Sequence, residues 1–152
     1  MAELHEAAQR REHPDYPGWY DGSLGQAEHY NRAVMGTLLV RRDTPNLARV
    51  RMLPEEWHKN QYGVIHGGMV LGLIDIAGFA AAVELTDGKF PGGVTIELHN
   101  HFVGSGDPAL PLDAVTEIVR ETGKMLFVRG TVEQEDTVIG TWSSILRKIS
   151  PR

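Results

Sequence analysis

The segment from Gly67 to Leu85, GGMVLGLIDIAGFAAAVEL, restricts the fold more than any other stretch of this chain. Its Leu, Met and Ala content favours a helix. It is apolar on nearly every side, and a helix apolar all round is buried rather than laid on a surface. Glycine costs a helix stability, so Gly72 and Gly78 point to close packing of neighbouring groups. The rest of the chain supplies strands to cover it. Thr37–Arg41 and Leu47–Met52 flank the turn residues Asp43 to Asn46 and read as a hairpin. After the helix come Val94–Val103, Leu112–Glu121, Met125–Glu133 and Val138–Lys148, separated by Gly-Ser-Gly-Asp-Pro, Thr-Gly-Lys and Gln-Glu-Asp. In the first of these, Val94, Ile96, Leu98 and Phe102 alternate with Thr95, Glu97, His99 and His101, which predicts one buried and one polar face. Two strands, a buried helix and four strands imply an α+β domain, a curved antiparallel sheet wrapped around one long buried central helix.

A chain of 152 residues fits one such domain. Residues 1–35 stand apart as an N-terminal arm. Ala2 to Arg11 reads as helical, Pro14 and Pro17 interrupt, and Tyr16, Trp19, Tyr20 and Tyr30 crowd together. Such an arm is expected to pack on the domain or on a neighbouring subunit; a lid over a substrate is the sharper reading. The net charge is −5 and no dense Lys/Arg run occurs, which argues against nucleic acid as a partner. With no cysteine there is no disulfide, thiolate zinc site or Cys nucleophile. Asp75 interrupts the longest apolar stretch and makes it costly as a membrane span. The polar N-terminus has no signal-type apolar run, so a cytoplasmic location is expected.

Asp75 is also the chemical anomaly. Leu71 to Ile74 precede it and Ile76 to Phe79 follow, all apolar or glycine. It lies two turns inside the helix and cannot cap it. A buried carboxylate is paired, protonated or functional, and a polar contact at a subunit interface accounts for it equally well at this point. Just before the helix stands Asn60, five residues, then His66-Gly67-Gly68. The first N–H groups of a helix lack internal partners and suit an oxygen gaining negative charge. Gly67 and Gly68 leave that backbone open to a ligand, although a tight loop needs glycines too.

Together these residues, N-QYGVI-HGG-MVLGLI-D, resemble the hotdog-fold acyl-CoA thioesterase superfamily. The branch is that of the phenylacetate-pathway and thioesterase superfamily member 2 types. The similarity runs on through PGGVTIELHNHF and TGKMLFVRGTV and covers roughly residues 36–149, so residues 36–150 are taken as the hotdog domain. The resemblance implies hydrolysis of an acyl-CoA to free acid and coenzyme A. The Gly67 N–H and the Asn60 side chain would hold the thioester oxygen. Asp75 would act as general base or nucleophile, Thr95 would orient water with it, and His66 would position the thioester. Gly68 belongs to the substrate-binding backbone. No cofactor is implied, coenzyme A being part of the substrate.

Lys124, Arg129, Arg147 and Lys148 are the nearest approach to a basic group for the coenzyme A phosphates, with Lys124 and Arg129 taken as substrate-binding; solvated strand-end charge is the plainer reading of each. Gly67 and Asp75 are eight residues apart, about 12 Å along a helix axis, too far to act on one carbonyl. A homodimer with shared sites follows, expected to pair further into a homotetramer. His99 and His101 share a strand face but lack further ligands, so no metal is expected. Two alternatives remain: a non-catalytic acyl-CoA-binding hotdog protein, and a hotdog hydratase or dehydratase. The hydratase spacing of Asp, four residues, His is missing, and the acid expected to be lost from a pure binder is present.

Overall fold

A computed structural model describes residues 11–149, and Ala2–Arg10 of the expected N-terminal helix lie outside that range. The long helix, here α2, spans Gly67–Leu85, as the apolar run predicts. Around it the strands are β3 (Leu38–Thr44), β4 (Leu47–Met52), β5 (Gly93–Phe102), β6 (Leu112–Glu121), β7 (Met125–Gln134) and β8 (Thr137–Lys148). Two further strands, β1 (Glu12–His13) and β2 (Tyr16–Asp21), and a short helix α1 (Tyr30–Ala33) come from the N-terminal arm. All eight strands form one antiparallel sheet in the order β1-β2-β3-β4-β6-β7-β8-β5. The architecture is the hotdog fold.

The arm therefore extends the sheet instead of lying on it as a separate unit, and its strands were not foreseen. Tyr20 pairs with Val40 across β2 and β3. Trp19 is buried, with the guanidinium groups of Arg41 and Arg51 each 4.5 Å from its ring centre. Those arginines belong to a charged lattice on the outer face of the sheet. Arg51 grips Asp113 through Nε and Nη2 at 2.7 and 2.8 Å, and Arg49 reaches Asp43 and Asp113.

The inner face is apolar. Leu73, Ile74, Ala77 and Ala80 of α2 pack against Val50, Met52, Leu112, Ala114 and Leu126 of the sheet. By length and composition α2 passes for a membrane span, yet more than half of it is buried inside this fold. Gly72 is a glycine because of close approach: a Cβ there would lie 3.0 Å from both the Met35 sulfur and the Tyr30 hydroxyl.

One expectation fails on β5. Thr95 pairs with Leu146 but Glu97 pairs with Ile145, so Ile96 is an extra residue, a β-bulge. The bulge shifts the side-chain alternation by one. Val94 and Ile96 are 53% and 54% exposed, and Thr95 turns inward toward α2. After the bulge Leu98 packs on the core, and Asn100 and Phe102 follow on that same face by period two. The predicted apolar stripe of Val94, Ile96, Leu98 and Phe102 therefore does not form one buried face.

Candidate active site

The loop before α2 is built around Asn60. Its side-chain oxygen accepts from the Tyr62 and Val64 amides at 2.9 and 3.3 Å, while its own amide donates to the Val64 carbonyl at 2.8 Å. With Oδ1 committed to the turn, Asn60 Nδ2 has no partner among the described residues and is free to donate. His58 secures the loop from behind. Its Nδ1 accepts from the Glu55 amide at 2.9 Å, so the ring proton sits on Nε2, which donates to the Val34 carbonyl at 2.8 Å. The His58 carbonyl then accepts from the His66 amide at 2.8 Å, which sets His66 at the helix entrance.

His66 is the N-cap of α2, with extended backbone angles and Nδ1 accepting from the Gly68 amide at 2.8 Å. This assigns its proton to Nε2, which faces outward as a donor. The Gly68 N–H is thereby given to His66, so any part Gly68 plays toward a ligand is through its open backbone and not through this donor. The Met69 and Val70 amides turn back to the His66 carbonyl. The Gly67 N–H alone in this first turn has no partner among the described residues. It lies at the positive end of the helix dipole, and the Phe102 ring stands 3.4 Å from where a Gly67 Cβ would be.

Asp75 sits mid-helix and half-buried, with the Thr95 hydroxyl donating to its Oδ1 at 2.7 Å. Its Oδ2 has no partner among the described residues. Gly68, Leu71, Gly72, Asp75, Phe79 and Val83 lie along one side of α2 and are not buried, at the i, i+3, i+4, i+7, i+11, i+15 spacing of a single helix face. Asp75 is at the centre of that stripe. Tyr30 of the arm touches the same face at Gly72, one turn before Asp75. The crowding of aromatics in the arm hinted at this contact, but its position came only with the fold.

Within one chain the structure joins Asn60, His66 and Gly67 at one end of α2, and Asp75 with Thr95 two turns on. It does not bring Lys124 or Arg129 to either group. Arg129 alternates with the inward Val128, lies on the outer face, and binds Glu117 at 2.9 Å. Lys124 is exposed in the turn between β6 and β7. His99 and His101 form an edge-to-face pair at 4.7 Å on β5, and among the described residues no three His, Asp or Glu side chains are grouped to hold a metal.

A long helix inside a curved antiparallel sheet defines a hotdog protein. The model of the Thioesterase superfamily matches residues 62–141, just over half of the chain, and the chain belongs to that superfamily. The structure of zebrafish thioesterase superfamily member 2 is similar at TM-score 0.69 and 17% identity, over 80% of this chain and 88% of that one. A hypothetical thioesterase with coenzyme A from Streptococcus pneumoniae is similar at 0.68 and 15%, over 79% and 91%. A mutant phenylacetic acid degradation protein PaaI from Thermus thermophilus is similar at 0.63 and 17%, over 78% and 97%. At these identities the likeness shows the shared fold. Comparison with curated proteins gave no match.

Proposed function

We propose that the protein is a thioester hydrolase that converts an acyl-CoA to the free acid and coenzyme A. The observation that carries the reading is the pairing of Thr95 with Asp75 on the open face of α2, whose first N–H, at Gly67, has no partner among the described residues. Family membership supports the reaction class, and the structural relative with coenzyme A supports the leaving group.

In this reading the thioester oxygen lies between the Gly67 N–H and Asn60 Nδ2. Both are held in place before substrate arrives, so they stabilise developing charge without reorganisation. Asp75 takes a proton from water, the water oxygen bonds to the acyl carbon, and the C–S bond breaks with the proton passing to the thiolate. Direct attack by Asp75 followed by hydrolysis of the anhydride uses the same geometry. Thr95 holds one carboxylate oxygen and leaves the other to react. The outward Nε2–H of His66 would face the thioester or its sulfur.

The two halves of the centre lie about 12 Å apart along α2, so a second copy completes each site. The stripe of Leu71, Gly72, Asp75 and Phe79 is the face for that copy, and the unpaired edge of β5, with Val94 and Ile96 exposed, adjoins it. A homodimer with two shared sites follows, and a homotetramer is its expected further assembly. Release of free thiol from acyl-CoA substrates, read with a thiol reagent, tests the reading. Turnover above the uncatalysed rate supports it, and binding without turnover would favour an acyl-CoA-binding protein.

A further inference from the structure

The inner face of β5 carries a side-chain amide that nothing among the described residues binds. Both Oδ1 and Nδ2 of Asn100 are buried and lack a hydrogen-bond partner among the described residues. Buried polar groups are paired in the great majority of cases, and each exception calls for an explanation. The neighbours that the strand register places beside it do not supply a partner. By register Asn100 lies opposite Trp142, whose indole N–H is already given to the Thr131 carbonyl at 3.3 Å. The diagonal neighbour is Gly140, where a Cβ would come within 3.0 Å of Asn100 Oδ1, so the absence of a side chain there makes room for the amide. Leu98 and Phe102, its neighbours on the same strand face, are both apolar. A leucine would suit this position better than an asparagine if packing were the only requirement.

Position links this amide to the proposed reaction centre. Phe102 stands against Gly67 at one end of β5, and Thr95 bonds to Asp75 at the other. Asn100 lies between these contacts, about 6–7 Å along the strand from Phe102. It shares the strand face whose next inward residue, Phe102, reaches Gly67, the residue whose N–H is taken to hold the thioester oxygen. Asn100 offers one acceptor and one donor side by side, and a hydroxyl group matches both at once. The match holds whichever way round the amide is placed.

We infer that Asn100 is a specificity-determining residue that recognises a hydroxyl on the acyl chain, close to the thioester. The inference rests on the proposed thioesterase activity and adds the substrate class. A site built to bond a hydroxyl rejects the analogue that lacks it, because its own polar atoms are then left unpaired.

The test compares butanoyl-CoA with 3-hydroxybutanoyl-CoA, and hexanoyl-CoA with 3-hydroxyhexanoyl-CoA, on the wild-type protein and on Asn100→Leu. Wild type is expected to favour the hydroxylated member of each pair by about 10- to 100-fold in kcat/KM. Asn100→Leu should lose that preference through the hydroxylated substrates alone, with a melting temperature equal to or above wild type. Equal rates on both members of a pair by the wild type would overturn the inference and leave the thioesterase reading standing. No hydrolysis of any of the four would overturn both. A variant that melts lower and loses both substrates alike would make Asn100 a structural residue and also overturn the inference.

Discussion

Thr95 of β5 donates a 2.7 Å hydrogen bond to Asp75 of α2, and a single extra residue in the strand, Ile96, accompanies it. The bulge turns Thr95 inward while Val94 and Ile96 remain exposed. The strand thus presents a hydroxyl to a carboxylate that is flanked along its own helix by apolar residues.

Replacing Thr95 with valine keeps the shape of the side chain and removes the bond. Hydrogen bonds to charged groups contribute about 1.5–3 kcal/mol, so a loss of about 10- to 100-fold in kcat is expected if the bond is made in the transition state. KM should change little, and Thr95→Ser should recover most of the rate. Equal kcat for valine and threonine would remove Thr95 from the mechanism.

Asn60→Asp separates the two roles of that side chain. The Oδ1 that accepts from Tyr62 and Val64 is retained, and the donor Nδ2 is lost. The loop should hold its fold while activity falls by about 10²–10³-fold. Unfolding this variant together with Asp75→Asn and reassembling them tests the shared site. With random pairing about half the dimers are mixed, each with one intact site of two, so about a quarter of wild-type activity should return. No recovery after proven subunit exchange would place both residues in one site of one chain.

Acid should weaken the charged lattice on the outer face. Burial alone raises the Asp43 carboxyl, but hydrogen bonds from Arg41 and Arg49, and their charges, outweigh it and hold it below its ordinary 3.8. A folded-state value below the unfolded one stabilises the protein above the unfolded value, and that contribution is lost as pH falls through the folded one. Asp43→Asn should be less stable at neutral pH and show a shallower loss of stability below about pH 4. Urea unfolding at pH 7 and between about pH 2 and 5 checks this. Identical pH profiles for the two proteins would dismiss the role of Asp43.

Trp19 ties the arm to the sheet. Trp19→Ala is expected to cost about 3–5 kcal/mol, as for other large buried aromatics, with a matching fall in melting temperature. A change under about 1 kcal/mol would mean that the arm contributes little to the fold.

Much of this was legible beforehand. The ends of α2 follow from Gly-Gly on one side and Asp-Gly on the other, and the ends of β5 to β8 follow from their turn residues. The bulge at Ile96 was not legible, because alternation predicts faces only while the count stays even. The strand at Tyr16–Asp21 was hidden by Pro17 and Gly18; it forms because the edge of β3 offers pairing. The place of His66 just before a helix was visible, but its capping bond to Gly68 depends on a rotamer that the fold selects. The separation of Gly67 from Asp75 needed only the helix rise.

Acyl-CoA hydrolysis by wild type and by Asp75→Asn, measured side by side on correctly folded protein, tests the central claim most directly. The substitution removes one proton acceptor and keeps the size of the side chain. The account predicts measurable thiol release by wild type and a drop of about 10²–10⁴-fold in the variant, with an unchanged circular dichroism spectrum. Near-wild-type turnover by Asp75→Asn would contradict it.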